Sequence, residues 1–117
     1  MSTTDAVIKK EEEIQSFLVD PYTKIFNYFS SDHSTKVSVV VLELTGEHSR
    51  RVNHVSDKIY YILEGKLDIE VEGIKYTIKK GDSILIKSEK WHEMFSEACK
   101  MLVICGPSFN DKDENIA

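Results

Sequence analysis

His54 and His92 each occupy the matching place in one of two motif-like stretches about forty residues apart. Imidazoles brought together from separate segments act as metal ligands or as acid–base groups, because one ring nitrogen can keep a lone pair while the other carries a proton. Four residues after His54 stands Lys58, on the same face of a probable strand as Tyr60 and Ile62. A lysine turned into a protein interior is costly unless paired. Its answer is a structural carboxylate such as Glu43, an ammonium that reaches the rim along its own stem, or the anionic group of a ligand. In the last case Lys58 is the counter-charge, and His54, His92 and Tyr60 supply hydrogen bonds.

These side chains need a scaffold, and the 117 residues suffice for one domain with its own core. A hydrophobic content of 41% and a charged content of 30% describe an ordinary globular protein. The net charge of -5 argues against nucleic acid or an anionic membrane surface as partner. Met1 to Val7 has no signal-peptide pattern and no window approaches a membrane span, so a cytoplasmic location is expected. Cys99 and Cys105 fall on one face of a strand, roughly 20 Å apart along it, too far to bridge. They read as small core residues in a reducing compartment.

The chain alternates in steps of two almost throughout. Residues 1–20 form an ambiguous N-terminal extension, residues 21–109 a β-barrel domain, and residues 110–117 a short charged tail expected to fray. Val37 to Leu44 is apolar on both faces and reads as a central strand. A polar loop carrying Arg50 and Arg51 follows; loop arginines are ordinarily solvated, though these could steer an anion toward His54. Glycines at 65, 73 and 81 then punctuate the chain at the spacing of a strand plus a turn, and Glu64-Gly65-Lys66 reads as a tight reversal. About eight short antiparallel strands without a convincing helix specify a sandwich or closed barrel, whose interior or mouth is the expected pocket. Trp91, beside His92, is a candidate for the wall of that mouth or for packing.

Gly46-x5-Val52-Asn53-His54-x3-Lys58-x6-Gly65 resembles the first motif of the cupin superfamily, and Gly81-Asp82 through Trp91-His92-x3-Ser96 resembles the second. The resemblance covers roughly residues 36 to 106. It implies an all-β fold, a double-stranded β-helix or jelly-roll barrel, with the site inside it and a homodimer as the common assembly. It also implies a divalent metal (Zn, Fe, Mn or Ni) held by three histidines and a glutamate. Here only His54 and His92 keep their places, while Val52 and Lys58 stand at the other two. Val52 has no lone pair and an ammonium repels a cation, so a metal held by His54 and His92 alone is bound weakly or incompletely. Asp57, Glu43 and Glu93 are the carboxylates that could complete a triad.

Three functions fit this reading. The first is a cupin that binds a small polar or anionic metabolite through His54, Lys58, Tyr60 and His92. The second is a metal-dependent enzyme of the dioxygenase or sugar-isomerase type, and the third a non-catalytic dimeric scaffold. Hydrolase and nucleotide-binding motifs are absent from the sequence.

Overall fold

The computed structural model describes residues 5–117. Along them run ten strands: β1 (Ser16–Asp20), β2 (Thr23–Phe29), β3 (Ser38–Leu44), β4 (Glu47–Asn53), β5 (Asp57–Val71), β6 (Ile74–Lys79), β7 (Ser83–Ile86), β8 (His92–Phe95), β9 (Cys99–Gly106) and β10 (Glu114–Ile116). All pairings are antiparallel. One sheet runs β1-β2-β3-β9-β5-β7, and the other runs β6-β5-β8-β4-β10. The two share β5, and they curl against each other as a jelly-roll half-barrel.

Alternation decides which side chains fill the interior. On β3, Ser38, Leu42 and Leu44 are buried, and their partners on β9 are Cys105, Met101 and Cys99. Tyr60 and Ile62 extend this inner layer from the first half of β5, and Leu67 and Ile69 from the second. Each fully buried aliphatic side chain in such a layer contributes about 1.5–3 kcal/mol. Both cysteines are free and buried, with thiol pKa values pushed up by burial.

Three expectations change. Glu64-Gly65-Lys66 does not reverse the chain: β5 runs straight through it, with Gly65 at a φ of +83° and a bulge between Ile62 and Glu64 opposite β9. This bend carries one strand from the first sheet into the second. The end of the N-terminal extension is β1, paired with β2 through Ser16↔Phe26 and Phe17↔Ile25. The tail does not fray. Asp111–Asp113 forms a short 3-10 turn capped by the Asn110 side chain, and β10 then pairs with β4 through Glu114↔Asn53, Asn115↔Val52 and Ile116↔Arg51.

Candidate functional site

The segment expected to be a polar loop is β4, and an irregularity within it decides the site. Opposite β8, His48 pairs with Met94 and Arg51 with His92, so three steps on β4 match two on β8. An extra residue in a strand inverts the alternation beyond it. His48 points inward before the bulge and Arg51 points inward after it, although strict alternation would turn them to opposite faces. Arg51 fastens the bulge itself, donating from Nε to the Ser49 carbonyl at 2.9 Å and from Nη2 to Ser49 Oγ at 3.1 Å.

The inward side chains border a cavity of about 240 Å³ between the sheets. Its wall is mostly apolar, with Phe17 and Val19 from β1, Val40 from β3 and Phe109 after β9. The polar groups gather at one end: His48, Arg51, Lys58, Tyr60 and Glu114. Lys58 Nζ donates to Glu114 Oε1, and Arg51 Nη1 donates to Glu114 Oε2 at 3.4 Å. One carboxylate therefore spans two cations, all three side chains being at least nine-tenths buried. Burial works against the Lys58 charge, but Tyr60 and Glu114 outweigh it and hold its pKa above the usual value. The Lys58 ammonium also lies 5.5 Å from the Phe109 ring centroid.

The two buried histidines are uncharged. Burial, aided by the cations Lys58 and Arg51, pushes the His92 pKa down to about 4. His92 Nδ1 lies 3.1 Å from the Lys90 carbonyl, which only accepts, so the proton sits on Nδ1. Nε2 is left to accept the Tyr60 hydroxyl across a long 3.4 Å contact. Burial, then Arg51, lowers His48 to about 4 as well. Its Nδ1 lies 3.0 Å from Thr23 Oγ1 and 3.5 Å from Asp20 Oδ2.

Of the residues singled out from sequence, Lys58 and Tyr60 line the cavity and His92 is buried behind Tyr60. His54 is elsewhere: it lies beyond the end of β4, with its side chain 44% exposed, bound to Glu89 at 3.1 Å and to Asn115 Oδ1 at 2.7 Å. It anchors β10 from outside. Arg51, read as a solvated loop residue, is inside, and Glu114 takes the place offered to Glu43. Sequence reasoning missed His48, Arg51 and Glu114. Trp91 lies outside the cavity, beneath the Arg50 guanidinium at 5.5 Å.

Residues 38–105 match the family model described as Cupin domain. The chain belongs to the cupin family. No curated protein matches it in sequence at a significant level. Among solved structures, a tyrosine-to-phenylalanine variant of Streptomyces Pac13 with uridine superposes with a TM-score of 0.86 at 18% identity, covering 96% of this chain and 90% of that one. Pac13 is described as a nucleoside dehydratase. KdgF from Halomonas sp. gives a TM-score of 0.82 at 16% identity, over 92% of this chain and 98% of that one. A protein from Planctomyces limnophilus gives 0.82 at 23% identity, over 95% and 98%. These likenesses establish a shared fold.

This cupin's residues do not fit the metal the family often holds. Val52 lacks a donor, Lys58 brings a paired cation, and His54 faces outward. His92 has one nitrogen committed to a carbonyl and the other turned to Tyr60. No group of three or more metal-binding side chains converges among the described residues. No helix among them is long and apolar enough to cross a membrane.

The lowered histidine pKa values have a consequence for stability. Between about pH 6.5 and about pH 4 the unfolded chain binds protons at His48 and His92 that the folded barrel refuses. Stability from these rings is therefore complete above the unfolded pKa and is lost as pH falls toward 4, by up to about 3 kcal/mol per ring. Urea unfolding of the wild type and of His92→Gln at pH 7 and pH 4.5 isolates this contribution. The variant should lose less than the wild type on acidification; equal losses would mean that His92 is not held neutral.

Proposed function

We propose that this cupin binds a small metabolite inside its barrel, with one anionic group against Lys58 and Arg51 and an apolar body along Phe17, Val40 and Phe109, without need of a metal. One observation carries the reading: two buried cations share a single carboxylate. An unmatched buried charge is costly, and an anionic ligand relieves it. Tyr60, with its proton turned toward His92, presents lone pairs to the bound molecule, and His92 serves as the support that orients it. That Pac13 and KdgF share the fold is compatible with small-molecule chemistry in such a barrel, at identities too low to carry an activity across.

The test is thermal protection by benzoate, phenylacetate and hexanoate, compared with the matching amides. Acids should protect and amides should not. Lys58→Met should stay folded, because Arg51 still pairs with Glu114, and should weaken acid binding by about 10–100-fold through the lost charged hydrogen bond. Equal protection by acids and amides would end the proposal.

We also propose a homodimer formed through the outer face of the β3-β9-β5-β7 sheet. Cross-strand register lines up Val39, Ile104, Ile59 and Leu85 in one apolar row, and Val41, Leu102 and Tyr61 in the next. Ile59, Tyr61 and Leu85 are between 38% and 54% exposed. A second copy fits best, since a two-fold contact needs one self-complementary patch and the bordering row, Glu43, Lys100 and Glu64, mixes both signs. Ile59→Lys places like charges across such an axis. Light scattering after gel filtration should report a dimer for the wild type and a monomer for the variant; a monomeric wild type would exclude this interface.

A further inference from the structure

Deepening the anion-binding reading on which it rests, we propose that Glu114 sets the charge of the molecule this barrel accepts, so that the cavity selects a monoanion over a dianion. The argument begins with the balance of charge at the polar end. Among the residues lining the cavity, Arg51 and Lys58 are cations, Glu114 is an anion and His48 is uncharged. One positive charge is left over. Asp20 approaches His48 from the rim, but its side chain is 28% exposed and water screens it.

A monoanion brings this desolvated end to neutrality. A dianion overshoots and leaves a negative charge buried without a partner, which a protein interior strongly disfavours. The other polar groups at this end are already engaged, His48 by Thr23 and Asp20. The Arg51 guanidinium is fixed by Ser49 on one side and Glu114 on the other. Lys58 is held by Glu114, and the Tyr60 proton is committed to His92.

Glu114 is also the only one of these groups that the β-barrel proper does not supply. It arrives on β10, a three-residue strand laid along the outer edge of β4. Its neighbour Asn115 turns the other way and is held by His54, and the His54 amide donates to the Asp113 carbonyl at 2.9 Å. The His54–Asn115 contact outside thus positions the carboxylate inside. Glu114 is in this sense a specificity residue, filling part of the anion site so that only one negative charge remains to be provided.

The experiment uses benzoate, a monoanion, and phenyl phosphate, which is dianionic at about pH 8 because its second pKa is near 6. Affinities are measured by calorimetry for the wild type, Glu114→Gln, and Arg51→Met with Glu114→Gln. The wild type should favour benzoate by at least about tenfold. Glu114→Gln, with two cations and no carboxylate, should favour phenyl phosphate by a similar factor. The double variant, left with Lys58 alone, should return to benzoate.

Should Glu114→Gln not fold, Arg51→Met by itself decides: its polar end sums to zero, so benzoate should weaken and neutral benzamide should gain. If Glu114→Gln, or in its place Arg51→Met, keeps the wild-type order of ligands, the specificity role is wrong while the anion site stands. If neither anion binds the wild type or any variant, the anion site itself is wrong.

Discussion

Glu114→Ala is expected to lower the unfolding free energy by about 3–5 kcal/mol, the usual cost of removing one partner from a buried ion pair. The loss is at the upper end for a single substitution because the carboxylate serves two cations at once, Lys58 and Arg51. Removing the cations' partner strands both; removing one cation does not strand Glu114. Lys58→Met should therefore cost much less than Glu114→Ala, although it deletes the same contact. Combining Lys58→Met with Glu114→Ala should recover part of the loss, since one of the two stranded charges disappears. Urea unfolding of the three proteins measures this. A loss under about 1 kcal/mol for Glu114→Ala would mean that β10 contributes nothing to the interior.

Gly65→Ala should be nearly as severe, for a different reason. At a φ of +83° an L-residue costs about 1–2 kcal/mol. A Cβ there would also collide with the Ala98 carbonyl oxygen and lie 3.0 Å from Cys99 Cα, both backbone atoms that cannot rotate away. The combined cost is expected to be about 3 kcal/mol or more. Gly73→Ala is the control: its φ is also +83°, but nothing lies within 4 Å of the added carbon. It should cost only the backbone part, about 1–2 kcal/mol. Equal midpoints for the two variants in thermal unfolding would show that the β8-β9 connection moves aside without penalty.

The contrast between these glycines also marks what a sequence can and cannot declare. Period-two alternation, the β-branched run of β3 and the spaced glycines were enough to read an all-β barrel, and the two motifs were enough to name its family. Lys58 and Tyr60 followed from parity on β5, because that parity is unbroken from Asp57 to Ile62. β4 offers no such reading, because Arg50 and Arg51 lend it the composition of a polar loop. The bulge between His48 and Arg51 has no glycine to announce it, and it inverts every assignment beyond it. Arg51, which reads as a solvated loop residue, enters the barrel, and His54, which its motif position would place inside, lies outside.

Gly65 misled in the opposite sense. A glycine flanked by charged residues has the composition of a hairpin turn, yet this one bends a continuous strand. Glu114 was illegible for a third reason. A strand of three residues is too short to show a period, and its burial depends on pairing with β4, more than sixty residues earlier in the chain. Local signals report local structure, and the decisive carboxylate is positioned by a non-local contact.

The fifteen-residue strand β5 is hydrogen-bonded to β7 and β9 through its first half and to β6 and β8 through its second. Neither sheet can therefore open without disrupting a strand that the other also needs. The two halves of the barrel should melt as one thermodynamic unit, in a single transition without a half-unfolded species. Native-state hydrogen exchange would then give the amides of Tyr60 and Ile69, on opposite sides of the Gly65 bend, the same opening free energy, equal to that of global unfolding.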